Sequence, residues 1–328
     1  MTYEMFKEIV ILNIKKYLPD DWQEAKIERS QSHKVNFEKD SIVFIKHPGE
    51  SMEMSPNVDV KHWYQKYLSG YGLEDVLDDL AEAVLDAERQ VMPVKAGLDI
   101  NKVRDNVFWQ LIHTDQNREL LKDLPHREFH DLSIIYVWLI QGNEKTQLCT
   151  SRITNGLAEQ IGMSEEELYE VAKENTQKIL PTVIKPMHEV IDELMGENAL
   201  ERSHKPDEPV PMYVLSNCTR NFGAAAMLDK DALQELAEHC GENFYILPSS
   251  LHECIAIPQS HSDLEQLAEM VYEINMTQVE LQDRLSNEVY QYDMETREVT
   301  LATNVPNKSL DDNHMDRELF PTMAEPVR

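Results

Sequence analysis

FYILPSSLHECIAIP (residues 244–258) sets two apolar runs on either side of Pro248-Ser249-Ser250, and its reading decides the fold of the C-terminal third. Two readings compete. One is a serine nucleophile beside its base, drawn from Ser249, Ser250, His252 and Glu253; the other is a tight turn between strands. In an extended strand, side chains two positions apart share a face at about 6–7 Å. Ser250 and His252 are then too far apart for the hydrogen bond that a serine nucleophile needs from its base. Glu253 faces the other way and cannot orient His252. A hydrolase elbow also needs flanking glycines and a strand-to-helix turn, whereas these serines follow a proline and precede a strand. Proline fixes φ and serine hydroxyls bond nearby backbone groups, so both are turn formers. The stretch reads as a hairpin.

Working outward, MYVLSN (212–217) and FGAAAML (222–228) read as a preceding hairpin around Cys218-Thr219-Arg220. Asp231 with Gln234 opens a helix that Gly241 ends, and Ser262 with Glu265 caps another. The resulting order is ββαββα, an α+β unit in which helices cover an antiparallel-rich sheet. In that order the Asn217-Cys218 turn and the Pro248-Ser249-Ser250 turn lie at opposite ends of the sheet, about 15–20 Å apart for strands of ordinary length. NEVYQYDMETREVTLAT (287–303) adds a closing hairpin, and periodicity is lost after it.

Towards the N-terminus, residues 2–18 place Phe6, Ile9, Val10 and Tyr17 on one helical stripe. WQEAKIERS (22–30), HKVNFEK (33–39) and SIVFIKH (41–47) read as three short strands. VKHWYQKYL (60–68) spaces Val60, Trp63, Tyr64, Tyr67 and Leu68 as a core-facing helix, and a second helix follows over 73–90. That helix carries seven acidic residues before its first basic one, Arg89, opposite an apolar stripe. DNVFWQLIHT (105–114) and HDLSIIYVWLI (130–140) are β-rich runs flanking a short helix. In GMSEEELYEVAKENT (162–176), Ser164 and Glu167 form a capping box and Met163 can staple Leu168. The domain reading is an N-terminal α+β region (1–194), a polar loop or linker (195–211), the ββαββα unit with its closing hairpin (212–303), and a flexible tail (304–328).

PHREFHD (125–131) offers His126, Glu128, His130 and Asp131, yet it lacks the H-E-x-x-H order and a third ligand. It is read as a polar strand start that binds no metal. Cys149, Cys218, Cys240 and Cys254 show no C-x-x-C spacing, so they read as small buried residues of a reducing compartment. There is no G-x-G-x-x-G, Walker or EF-hand loop, and no cofactor is implied. The N-terminus, with Glu4 and Glu8, reads as neither a signal peptide nor a membrane span. A formal charge of −29 repels phosphate backbones and anionic lipid, which argues against nucleic-acid and membrane partners.

The segments YVLSN, FGAAAML, FYILPSSLHE and IAIP, with NTQKILP (175–181) and ETREVTLA (295–302), resemble a bacterial domain-of-unknown-function family of anaerobic Gram-positive gut bacteria. YILPSSLHE is the most specific of these. The resemblance implies a soluble cytoplasmic α+β protein and brings no activity or catalytic residues with it. The functional expectation is a non-enzymatic cytoplasmic interaction or accessory protein with a protein partner. The alternative is a hydrolase using the Ser249/Ser250/His252/Glu253 turn. A more remote one is an acidic mimic that occupies a DNA-binding protein.

Overall fold

The structure is a computed structural model that describes residues 1–49, 55–96, 98–142, 148–195, 210–303 and 310. The chain divides into two compact units, Met1–Ile100 and Asn101–Arg328.

The first unit opens with helix α1 (Tyr3–Asn13), capped by Thr2, whose hydroxyl accepts from the Met5 N–H at 3.3 Å. Phe6 and Val10 lie on its buried stripe, joined by Ile14 just beyond it. Strands β1 (Lys26–Lys34) and β2 (Phe37–Ile45) follow, then β3 (Asn57–Asp59), in an antiparallel sheet of order β1-β2-β3. Three strands were expected over 22–47, but two longer ones form. The break lies at Val35-Asn36, where Asn36 adopts φ 66°, a conformation that asparagine tolerates better than most residues. Helices α2 (Val60–Leu68) and α3 (Leu73–Ala96) cover the sheet. Their apolar stripes join Trp22, Ile42 and Phe44 in one core, with Val76, Leu80 and Val84 fully buried. Leu68, read as part of the core stripe, is exposed.

In the second unit, the short helix α4 (Val103–Asn106) leads into β4 (Val107–His113), buried along its whole length. After α5 (Arg118–Leu121) come β5 (His126–Phe129), β6 (Leu132–Gln141) and β7 (Cys149–Arg152). They form an antiparallel sheet of order β4-β6-β5, with β7 also paired to β6. Helices α6 (Asn155–Ile161) and α7 (Glu165–Ile179) follow. The expected capping box is present at α7: Glu167 N–H donates to Ser164 Oγ at 3.3 Å, and Ser164 N–H donates to Glu167 Oε2 at 3.0 Å. Met163 and Leu168 are both buried.

The third sheet contains β8 (Thr182–Pro186), β9 (Tyr213–Asn217), β10 (Phe244–Pro248), β11 (Cys254–Pro258), β12 (Tyr290–Asp293) and β13 (Glu298–Leu301). Its order is β13-β12-β10-β11-β9-β8, with antiparallel pairing throughout. Helix α8 (Met187–Met195) follows β8, α9 (Lys230–Cys240) precedes β10, and α10 (Leu264–Thr277) follows β11. Because β8 pairs with β9, strands on either side of the 195–211 segment, which the sequence reads as a polar loop or linker, belong to one sheet; residues 196–209 of that segment lie outside the described residues.

FGAAAML corrects the ββαββα order. Residues Gly223–Leu228 form a buried 3-10 helix rather than a strand, and the unit runs β9, 3-10, α9, β10, β11, α10. Three consecutive alanines supply neither the β-branched nor the aromatic side chains that favour a pleated surface. Their small size suits a helical turn packed against β9, β4 and β11. Two caps also differ from expectation. Asp229, not Asp231, caps α9 by accepting from Ala232 N–H at 3.1 Å, and Asp263, not Ser262, caps α10 by accepting from Gln266 N–H at 3.1 Å. The first cap sits two positions earlier than expected and the second one position later, and in both the residue just before the first helical turn carries the accepting carboxylate. Gly241 ends α9 at φ 73°, as its position in the sequence implies.

Of the expected tail only Leu310 is described. It is fully buried, and its carbonyl accepts from Arg284 Nη1 at 2.6 Å. Among the described residues, no helix is long and apolar enough to cross a membrane.

Candidate functional site

Pairing of Pro248 with Cys254 leaves residues 249–253 as the loop of the β10–β11 hairpin. The loop is built on itself. Ser250 N–H donates to the Glu253 carbonyl at 3.2 Å, Ser249 Oγ donates to the same carbonyl at 3.2 Å, and His252 N–H donates to Ser250 Oγ at 3.0 Å. Leu251, buried, anchors it outward: its N–H donates to the Asp283 carbonyl at 2.7 Å and its carbonyl accepts from Ala224 N–H at 3.3 Å. The His252 carbonyl accepts from Ser216 Oγ at 2.8 Å.

The His252 ring has two polar neighbours. Its Nδ1 faces the Phe222 N–H at 3.3 Å, and its Nε2 lies 3.5 Å from Asp283 Oδ1. A neutral imidazole has one acceptor nitrogen and one donor nitrogen. Here a backbone N–H occupies the acceptor, and the ring proton is directed at a carboxylate. A general base must offer its lone pair to the nucleophile's proton, and that lone pair is already engaged. Ser249 and Ser250 hydrogen-bond backbone groups of their own turn rather than the ring.

The placement of the neighbouring turn is a second correction. Leu215 of β9 pairs with Cys254 of β11, so the end of β9 lies beside the 249–253 loop rather than at the far end of the sheet. The 15–20 Å separation assumed that FGAAAML ran back as a strand, and it does not. Asn217 folds the adjacent loop: its Oδ1 accepts from both the N–H and the hydroxyl of Thr219 at 3.0 Å, and its Nδ2 donates to the Asn221 carbonyl at 2.7 Å. Arg220 (φ 55°) and Phe222 (φ 57°) sit in the left-handed region, which costs about 1–2 kcal/mol for an ordinary residue. Phe222 is held there by its N–H bond to His252 and by ring packing on Phe108 and His252. Gly223 lets the loops meet. A Cβ there would lie 2.1 Å from Ser216 Oγ and 2.4 Å from the His252 carbonyl. Ser216, Phe222, Gly223 and Asp283 carried no local signal. Their role depends on a chain reversal that the alanine run disguised.

Ser249→Ala and Ser250→Ala are each expected to lower stability by about 0.5–1.5 kcal/mol, the worth of a single hydrogen bond. Thermal melts of the two variants measure this, and unchanged melting in both would remove the hydroxyls' structural role.

PHREFHD separates in space. His126 begins β5, whereas His130 (φ 59°) and Asp131 form the two-residue turn after it, fixed by the pairing of Phe129 with Leu132. Both histidines face carbonyl oxygens, His126 Nδ1 that of Leu124 at 2.9 Å and His130 Nε2 that of Val299 at 2.8 Å. A carbonyl only accepts, so those nitrogens carry the ring protons. Among the described residues, no group of three or more His, Cys, Asp or Glu side chains could hold a metal ion.

Asp131 instead joins two sheets. Its carboxylate accepts from Ser286 Oγ at 2.5 Å and from the Tyr290 hydroxyl, and His113 Nε2 lies 3.8 Å away. His113 Nδ1 accepts from Gln116 N–H at 3.1 Å. Burial holds the His113 imidazole below its ordinary value, against the opposing pull of Asp131, Asp115 and Glu288. Burial also pushes the Tyr290 hydroxyl well up, and the negative charge of Asp131 adds to it. The signs follow. Below about pH 6.5 the unfolded chain binds more protons at position 113 than the folded one, so stability falls on acidification through that window. Above about pH 10 the folded chain keeps the Tyr290 proton that the unfolded chain releases, so stability falls again. Urea unfolding between pH 7 and 5 should show a shallower acid limb in His113→Gln than in the wild type; parallel limbs would assign the loss elsewhere.

The chain belongs to the family of unknown function DUF5688, whose model matches residues 3–294. No curated protein and no solved structure matches it.

Proposed function

We propose that this member of a family without an assigned activity is a non-enzymatic interaction protein of the cytoplasm. One observation carries the reading. Helix α8 buries only Val190 and presents Ile191, Leu194 and Met195 to solvent at i, i+3 and i+4, with Leu194 72% exposed. Met212 and Val210 are exposed as well, and Met187 N–H donates to the Met212 carbonyl at 2.8 Å, which sets Met212 beside the start of the helix. Exposed apolar side chains grouped on one helix face mark a contact site. Glu189 and Asp192 flank it, whereas Glu193 is held by Lys185 and by Arg220 at 2.8 Å, so the partner's matching face is apolar with a basic edge. The cytoplasmic setting is supported by the free thiols of Cys149, Cys218, Cys240 and Cys254.

The hydrolase reading keeps one specific support, the 3.5 Å approach of Asp283 to His252. Among the described residues, no hydroxyl hydrogen-bonds the His252 ring. Affinity capture from the native cell, run in parallel with the wild type and Leu194→Asp, tests the proposal. A basic protein retained by the wild type, lost from Leu194→Asp and released by salt is the expected result. Equal recovery by both chains would dismiss α8. Fluorophosphonate labelling at Ser249 or Ser250 that vanishes in His252→Gln, with melting unchanged, would make the protein an enzyme.

A further inference from the structure

A cleft of about 750 Å³ opens between α5, the start of β5, α6 and the start of α7. Its floor is apolar: Leu121, Leu124, Ala158 and Met163 line it, each with less than a tenth of its surface exposed. The volume lies within the range of small-molecule sites, which pair apolar walls with a few placed polar groups.

Those polar groups have a consistent sense. His126 Nδ1 faces the Leu124 carbonyl and must carry the ring proton, so Nε2 of the neutral ring is an acceptor, and it has no partner among the described residues. Glu159 is exposed on α6 and likewise has no ion-pair partner among the described residues. The other carboxylate in the wall, Glu165, is spent. It accepts from Arg127 Nε at 3.1 Å, from Arg127 Nη2 at 2.9 Å and from the Tyr136 hydroxyl. The cation at the rim, Lys122, is held by both oxygens of Glu119 at 2.7 and 2.6 Å. Asn155, also in the wall, donates its Nδ2 to the Lys122 carbonyl at 2.9 Å and leaves its Oδ1 as an acceptor, so the cleft offers a guest an apolar bed, an imidazole acceptor, an amide oxygen and a carboxylate. It has no uncommitted cation for an anionic guest.

We propose that this cleft binds a small organic amine: its apolar body rests on Leu121, Leu124, Ala158 and Met163, and its ammonium donates to His126 Nε2 and Glu159. The site is separate from α8 and from the 249–253 loop, so it stands or falls independently of the partner reading. Fixed tautomers are a usual device for presenting one histidine nitrogen to a ligand, and the Leu124 carbonyl supplies that device here.

Titration calorimetry of the full chain with phenethylamine, 3-phenylpropanoate and the peptide acetyl-Leu-Lys-Leu-amide tests the inference. Saturable binding of phenethylamine is expected, with none for the carboxylate that carries the same phenethyl body. Glu159→Lys, an exposed substitution that leaves the core untouched, should weaken phenethylamine at least tenfold. His126→Gln should weaken it severalfold while melting shows the fold intact. Equal binding of amine and carboxylate, binding indifferent to Glu159→Lys, or no binding at millimolar probe would overturn the proposal. Tighter binding of the peptide than of phenethylamine would overturn it too, since the cleft would then be a protein-docking surface.

Discussion

Replacement of Arg284 by alanine is expected to destabilise the second unit by about 3–5 kcal/mol, the scale seen when a well-bonded buried charge is removed and its acceptors are left behind. Arg284 is 6% exposed, and its guanidinium is spread over backbone carbonyls. Nε donates to Val279 at 2.9 Å, Nη1 to Leu310 at 2.6 Å and Nη2 to Met276 at 3.3 Å. Met276 lies in the last turn of α10, whose terminal carbonyls have no intrahelical donors and carry the negative end of the helix dipole. One cation thus ends a helix and fastens a residue from the segment read as a loose tail. Alanine leaves these carbonyls unpaired in a dry space and opens a cavity. Lysine keeps the charge but cannot reach three carbonyls with a planar fork, so Arg284→Lys should recover only part of the loss. Urea unfolding of the three chains measures it. A loss below 1 kcal/mol in alanine would mean that water replaces the guanidinium and Leu310 is not fastened.

Gly223→Ala should cost about 1–3 kcal/mol, the range for inserting a methyl group into closely packed surroundings, and it should act on the loop cluster first. The added carbon would meet Ser216 Oγ at 2.1 Å, the His252 carbonyl at 2.4 Å and the Asn217 nitrogen at 2.9 Å. Two of these are backbone atoms and cannot swing aside. β9 and the 249–253 loop must part, and the Ser216 to His252 bond at 2.8 Å is lost. Backbone NMR shifts of residues 216–223 and 249–253 should move together, with melting lowered. A variant that melts like the wild type with those shifts in place would show that the close approach carries no strain.

These positions mark where local sequence stops informing. The hairpin at 248–254, the capping box at Ser164 and Glu167, the Gly241 helix end and the aromatic stripe of α2 were legible because each is settled within a few residues. Turn chemistry, capping and apolar period are short-range physics, and the structure places all of them where the sequence does. The turn between β1 and β2 was blurred, since the polar run 28–34 carries no apolar alternation to mark the strand's length.

FGAAAML shows the limit. Three alanines and a methionine are compatible with strand or helix, and burial against β9, β4 and β11 chose the 3-10 turn. That choice put Asn217 beside His252 instead of at the far end of the sheet, and it supplied the Phe222 N–H that occupies the imidazole acceptor. The Asp131 hub has the same origin, since its hydroxyl partners come from Ser286 and Tyr290, 155 and 159 residues away. Sequence alone determined the α+β class, most helices and the turns that close on themselves, because their energies are paid locally. Tertiary structure alone decided which loops share an end of the sheet, which polar groups are consumed and which cleft stays open. Those outcomes depend on close approach and desolvation between segments whose separation along the chain carries no local signal.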